Sequence, residues 1–176
     1  MKKTNWIKPA IFPRKGVILL VAAIFSLASF STGHAQSAMS VSLEHISPDG
    51  SGARAARPVR NFWHMFGESM NEKWYAIPHD GGFLAEFREK GIAYKVFYDK
   101  KGNWVYTLKE YTEKELPADV RAMVKSVYFD YPIAWVKEVN QSQDVVYLVN
   151  ISNDQEWKTL RVSDGEMDVV EDFRKP

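Results

Sequence analysis

Cysteine is missing from all 176 residues, and that absence removes disulfides, zinc–thiolate centres and thiol nucleophiles together. Stability must then come from packing alone. The longest mainly apolar run, Val17 to Phe30, is 14 residues, short of the roughly 20 that a membrane-spanning helix needs. Phosphate-binding chemistry lacks its cradle as well, since no glycine-rich loop is followed by lysine and a hydroxyl residue, and no dinucleotide fingerprint follows a strand. Gly50-Ser51-Gly52 lacks the order of a nucleophile elbow and the strand–helix context that chemistry requires. His45, His64 and His79 fall in three separate segments without metal-ligand spacing. The oxygen-rich runs 99–103 and 152–156 do not have the ligand order of a calcium loop. Neighbouring carboxylates such as Glu171 and Asp172 point to opposite faces of a strand, so they cannot form a glycosidase pair. The expectation is a protein with no cofactor, no metal and no catalytic site.

What is present begins with Lys2, Lys3, Lys8, Arg14 and Lys15, then the short apolar run, then Gly33-His34-Ala35. This order reads as a secretory signal over residues 1–35, cut after Ala35. Its removal takes five of 23 Lys and Arg and none of 22 Asp and Glu, leaving 18 against 22 and a net charge of −4. A mildly acidic mature chain does not present the basic surface that nucleic acid or an anionic membrane would attract. Residues 36–56, rich in Ser, Gly, Pro and Ala, read as a flexible leader, with Val41-Ser42-Leu43 as a candidate edge strand.

From residue 57 the pattern becomes regular. Val59, Phe62, Trp63, Phe66 and Met70 recur at helical spacing and make one apolar stripe, which Gly67 weakens or ends. Four alternating runs follow, from Trp74, Phe83, Ile92 and Trp104, with a period of two. Their joints, 79–82, 90–91 and 99–102, place glycine where a hairpin needs a positive φ. Leu116-Pro117 opens a second helix marked by Val120, Met123, Val124, Val127 and Tyr128. Four further runs, 133–139, 145–151, 157–162 and 167–173, complete the chain.

The order therefore recurs: helix and four strands over 57–111, helix and four strands over 112–174. Asp99 and Gly102 correspond to Asp164 and Gly165, and Trp74 to Trp135. The predicted fold is α+β, with two tandem helix-plus-four-stranded antiparallel meander units and each helix packed on the sheet. A cystatin-like single helix on one curved sheet is the runner-up.

Trp74, the run from Gly82 to Phe87, Val96 to Trp104 with its Tyr-Asp-x-x-Gly hairpin, Leu116-Pro117 with Val120, and Asp164-Gly165-Glu166-Met167 together carry a resemblance. Over residues 57–174 the chain is similar to the PepSY-like, beta-lactamase-inhibitor-like domains exported by Bacteroidetes-type bacteria. The resemblance implies a periplasmic or secreted, non-catalytic module that binds or inhibits a protein or peptide of the cell envelope; it names no target. The absence of cysteine and of a matching inhibitory loop separates the chain from the lactamase inhibitor itself.

Aromatic residues are 14% of the chain. Tyr94, Tyr98, Trp104, Tyr106, Trp135 and Trp157 alternate with neighbours that are also apolar. A sheet apolar on both sides needs a second cover or a partner, and these six are the candidate partner-binding residues of a protein expected to be monomeric. The alternative is a small-ligand carrier, with the same rings lining a pocket between sheet and helix.

Overall fold

The computed structural model describes residues 44–46, 56–67, 71–78 and 81–176. The signal segment 1–35 and most of the leader 36–56 lie outside the described residues, as do Met70, His79 and Asp80. One described stretch falls inside the leader. It is a strand, β1 (Glu44–Ile46), placed just after the Val41-Ser42-Leu43 alternation and paired antiparallel with β2 (Lys73–Ala76).

Helix α1 (Ala56–Phe66) buries Val59 and Phe62 and ends at Gly67, whose φ of +91° lets its N–H donate to the Trp63 carbonyl at 2.9 Å. A residue with no Cβ meets no penalty there. Strands β2, β3 (Phe83–Glu89), β4 (Ile92–Tyr98) and β5 (Trp104–Tyr111) follow. A short 3₁₀ turn, Glu113–Glu115, leads to α2 (Ala118–Val127), which starts directly after Pro117 and buries Val120 and Val124. Strands β6 (Ile133–Gln141), β7 (Asp144–Ser152), β8 (Glu156–Ser163) and β9 (Glu166–Arg174) close the chain.

Among the described residues nine strands form one antiparallel sheet in sequence order. The halves meet at β5 and β6 through five register pairs, Thr107 with Asn140 to Tyr111 with Val136.

Cross-strand partners share a face of a sheet, so the register says where each helix lies. Phe83, Ala85 and Phe87 face Tyr98, Val96 and Tyr94; these lead through Thr107 and Lys109 to Asn140 and Glu138, then to Tyr147 and Val162. Both helices pack on this one face. Under α1 sits a core of Val59, Phe62, Trp74, Phe83, Phe87, Val96 and Tyr98. Phe62 meets Trp74 and Phe87 edge to face, with ring centroids 5.5 and 5.3 Å apart, arrangements that suit the ring quadrupoles. A second core under α2 joins Val120 and Val124 to Val136, Val149, Ile151 and Leu160. It reaches into the first half by taking Tyr111 and the partly buried Ile92.

Three bulges interrupt the ladder, where Val105, Ala134 and Val170 are the extra residues. A bulge changes which side the following residues face. Two of these lie beside tryptophans, and they decide where the candidate residues go. The pairing of Trp74 with Trp135 fails for this reason: Trp74 is wholly buried under α1, while Trp135 is exposed on the other face.

Candidate functional site

No helix covers the second face of the sheet among the described residues. Its rows can be read across the strands. One row runs Tyr75, Leu84, Phe97, Tyr106. Phe97 and Tyr106 stack at 4.3 Å, and burial pushes the Tyr106 hydroxyl up to about 12. A middle band interleaves the buried Leu108, Val139, Val146 and Leu148 with charges of both signs, Glu86 opposite Lys95, Glu110 opposite Lys137, and Arg161 bonded to Asp168 at 2.5 Å. Burial holds the Lys137 amine below its ordinary value, opposed by Glu110.

At the far end lie Trp135, Asn150, Thr159 and Glu171 in one row and Ser152, Trp157 and Phe173 in the next. Trp157 stacks on Phe173 at 4.3 Å, and the Lys137 amine sits 5.1 Å over the Trp135 ring. Between them is an open depression of about 330 Å³ lined by Trp135, Asn150, Ser152, Trp157 and Lys175.

Of the six candidate aromatics, the structure brings Tyr106, Trp135 and Trp157 to this open face and takes the other three away from it. Tyr98 is only 2% exposed beneath α1 and tilts against Trp74 at 5.7 Å. Tyr94 stacks on Phe87 at 4.5 Å. Trp104 packs on the same core, and its indole N–H donates to the Thr107 hydroxyl at 3.0 Å. Strict alternation would keep Trp104 and Tyr106 on one side; the bulge at Val105 separates them. The bulge at Ala134 acts in the same way, leaving Ile133 in the α2 core and turning Trp135 outward. Tyr94 and Tyr98 lie on the helix-bearing face for a simpler reason: the β3–β4 register sets them opposite Phe87 and Phe83, which face α1.

Sequence reasoning missed Phe97, Phe173 and Asn150. Phe97 alternates with the inward Val96 and Tyr98 and was legible on that ground; Phe173 was not, because alternation from Met167 and Val169 points it inward and the bulge at Val170 turns it out, and nothing in the sequence marks Asn150. The depression also lies opposite to the place expected of a small-ligand pocket, which was between sheet and helix.

The most perturbed titratable cluster sits on the helix-bearing face at the junction of the halves. Burial raises the Glu138 carboxyl, but bonds from Lys109 at 2.7 Å, Tyr111 at 2.5 Å and Asn140 at 2.9 Å outweigh it and hold the group below its usual value. Burial, then the bond to Glu138, raises Tyr111. Glu138 is 8% exposed and both its oxygens are taken, so the cluster ties strands together and offers no open oxygen to a substrate. Among the described residues no group of three His, Asp or Glu side chains could hold a metal ion, and no helix is long and apolar enough to cross a membrane.

An antiparallel sheet with both helices on one face and aromatic clusters at the two ends of the other defines a class of α+β protein. Solved structures similar to this fold include several from Bacteroides. A DUF2874 family protein of Bacteroides ovatus matches with a TM-score of 0.53 and 18% identity, over 68% of this chain and 86% of that one. A BLIP-like protein of Bacteroides fragilis matches at 0.51 and 16%, over 73% and 92%. A Bacteroides eggerthii protein described provisionally as periplasmic matches at 0.52 and 18%, over 70% and 90%. The chain thus has a BLIP-like α+β fold. No family model and no curated protein matches it.

Proposed function

We propose that the protein is an exported, non-catalytic binding module that holds a protein or peptide of the periplasm across the open face of its sheet. The observation that carries this is the helix-free face of the sheet, buried along its middle at Leu84, Leu108, Val139 and Leu148 and bearing rings at its two ends. It places Phe97 and Tyr106 at one end and Trp135, Trp157 and Phe173 at the other, with Trp135 and Phe173 39% and 48% exposed. Large rings left exposed on rigid strands suit the anchors of an interface, since little side-chain entropy is lost when they are covered. Charged residues between the clusters would set register and partner choice.

The BLIP-like fold supports the reading, as does the provisional periplasmic description of a structural neighbour. The signal expected over 1–35 supplies the route out of the cytoplasm, and the PepSY-like resemblance agrees with it. We also read the halves 57–111 and 112–174 as two copies of one helix-plus-four-strand unit, joined at β5 and β6 into a single long binding face; the order of elements supports this.

The test is isolation of a stoichiometric complex from the envelope of the native host by tagged protein, followed by the double variant Tyr106→Ala, Trp135→Ala. The partner should be lost while the circular dichroism spectrum is kept. If the same partner returns in equal yield with the double variant, the open face is not the binding surface.

A further inference from the structure

The depression between Trp135 and Trp157 has features of a socket for one kind of group. Both indoles are fixed before anything binds, Trp135 by the Lys137 amine 5.1 Å over its ring and Trp157 by Phe173 stacked at 4.3 Å. Each ring therefore has one side engaged and is held as a wall. In the floor, Asn150 is only 7% exposed, lines the depression, and its carboxamide joins no side-chain hydrogen bond among the described residues. The residue is buried but its carboxamide lines the depression and is not among the sealed, unpartnered polar atoms, so a ligand group entering there can bond it in place of solvent.

A carboxamide offers donors and an acceptor together. A peptide group offers the same pair in reverse and can satisfy both. The rim limits the charge of the occupant. Lys175 lines the depression and Lys137 lies against Trp135, while the carboxylate of that row, Glu171, accepts from the Thr159 hydroxyl at 2.8 Å, so an ammonium or guanidinium group entering between the rings would meet like charge. A volume of about 330 Å³ holds one large apolar side chain with its backbone, and the open shape lets a chain run through.

We infer that this depression takes a large uncharged apolar side chain of an extended peptide segment, its backbone amide hydrogen-bonded to the Asn150 carboxamide. The inference rests on the open-face reading above and names the chemistry of the partner's anchor. Ser152, half-buried at the floor, supplies a hydroxyl for the same backbone.

The probes are N-acetyl-phenylalaninamide, N-acetyl-argininamide and N-acetylglucosamine, each titrated into the purified protein while the indole N–H signals of Trp135 and Trp157 are followed by NMR. The phenylalanine amide should shift both signals saturably and the arginine amide should bind at least tenfold more weakly. Asn150→Leu, which keeps the volume and adds no charge, should weaken the phenylalanine amide about tenfold. Trp157→Ala, at a half-buried position, should abolish the Trp135 shift while the fold persists. Shifts with the sugar and not with the phenylalanine amide would reassign the socket to glycans and overturn the proposal, and shifts with none of the three would overturn it equally. Failure of the open-face reading is separate: an envelope partner lost with Tyr106→Ala but kept by Asn150→Leu leaves that reading standing and removes this one.

Discussion

Glu138 shows how a single buried charge can serve the fold. Its carboxylate accepts from Lys109, Tyr111 and Asn140, so it links β5 to β6 where the halves join. The three bonds hold its folded-state value below the ordinary carboxylate range despite burial. A group depressed in the folded state adds stability above the unfolded value, about 4.3 for a glutamate, and that stability is lost as pH falls through the lower folded value. Melting temperature should therefore drop between about pH 5 and pH 3, and Glu138→Gln should flatten that drop. At pH 7 the same variant should cost about 1–3 kcal/mol in urea unfolding, because a charge-assisted bond becomes a neutral one. Glu138→Ala should cost more than Glu138→Gln. Lys109 can turn outward from its partly exposed position, but the Tyr111 hydroxyl is buried and cannot. Equal acid sensitivity in wild type and Glu138→Gln would show that other carboxylates govern the acid limb.

At the scale of elements, two glycine hairpins that look alike in sequence do different jobs. Gly102 and Gly165 have φ of +78° and +76°. A Cβ at Gly102 would lie 2.7 Å from the Pro58 side chain, while one at Gly165 would meet nothing within 4 Å. The first hairpin is docked on α1: Asn61 donates to the Gly102 carbonyl at 2.7 Å and Arg57 to the Asn103 side chain at 2.9 Å. Gly165→Ala should then cost only the strained φ, about 1 kcal/mol. Gly102→Ala should cost about 2–3 kcal/mol more, since the contact at Pro58 is with a fixed ring. Chemical denaturation of the two variants reads the difference, and equal losses would mean the docking contributes nothing. Much of this level was legible in the sequence. Both helices and the eight strands after residue 72 lie where periodicity and turn residues put them, because those signals are local. The facing of Trp104 and Trp135 was not legible, since each depends on a bulge that shifts the ladder by one residue without leaving a mark in composition. Strand β1 escaped for a related reason: Glu44–Ile46 is held by pairing with β2, which no local pattern encodes.

For the molecule as a whole, spacing could not say whether two meanders form one sheet or two, because the decision rests on long-range pairing of β5 with β6. Thermodynamic consequences follow from that pairing. The α2 core contains Tyr111 and takes in Ile92, both from the first half, and the Glu138 network crosses the same boundary. Unfolding either half would strip a face from the other core and leave buried polar partners unmatched, so the halves should unfold together. One truncation in each core tests this. Phe62→Ala beneath α1 should cost about 3–5 kcal/mol and Leu160→Ala beneath α2 about 2–5 kcal/mol, each lowering the melting point by roughly 10 °C. Calorimetry should show a single transition for wild type and both variants, with calorimetric and van't Hoff enthalpies equal. A low-temperature shoulder seen only with Phe62→Ala would mean that the first half melts alone. The two ends of the open face would then respond to temperature separately, and a partner spanning both aromatic clusters would be released when the α1 half melts, before the sheet is lost.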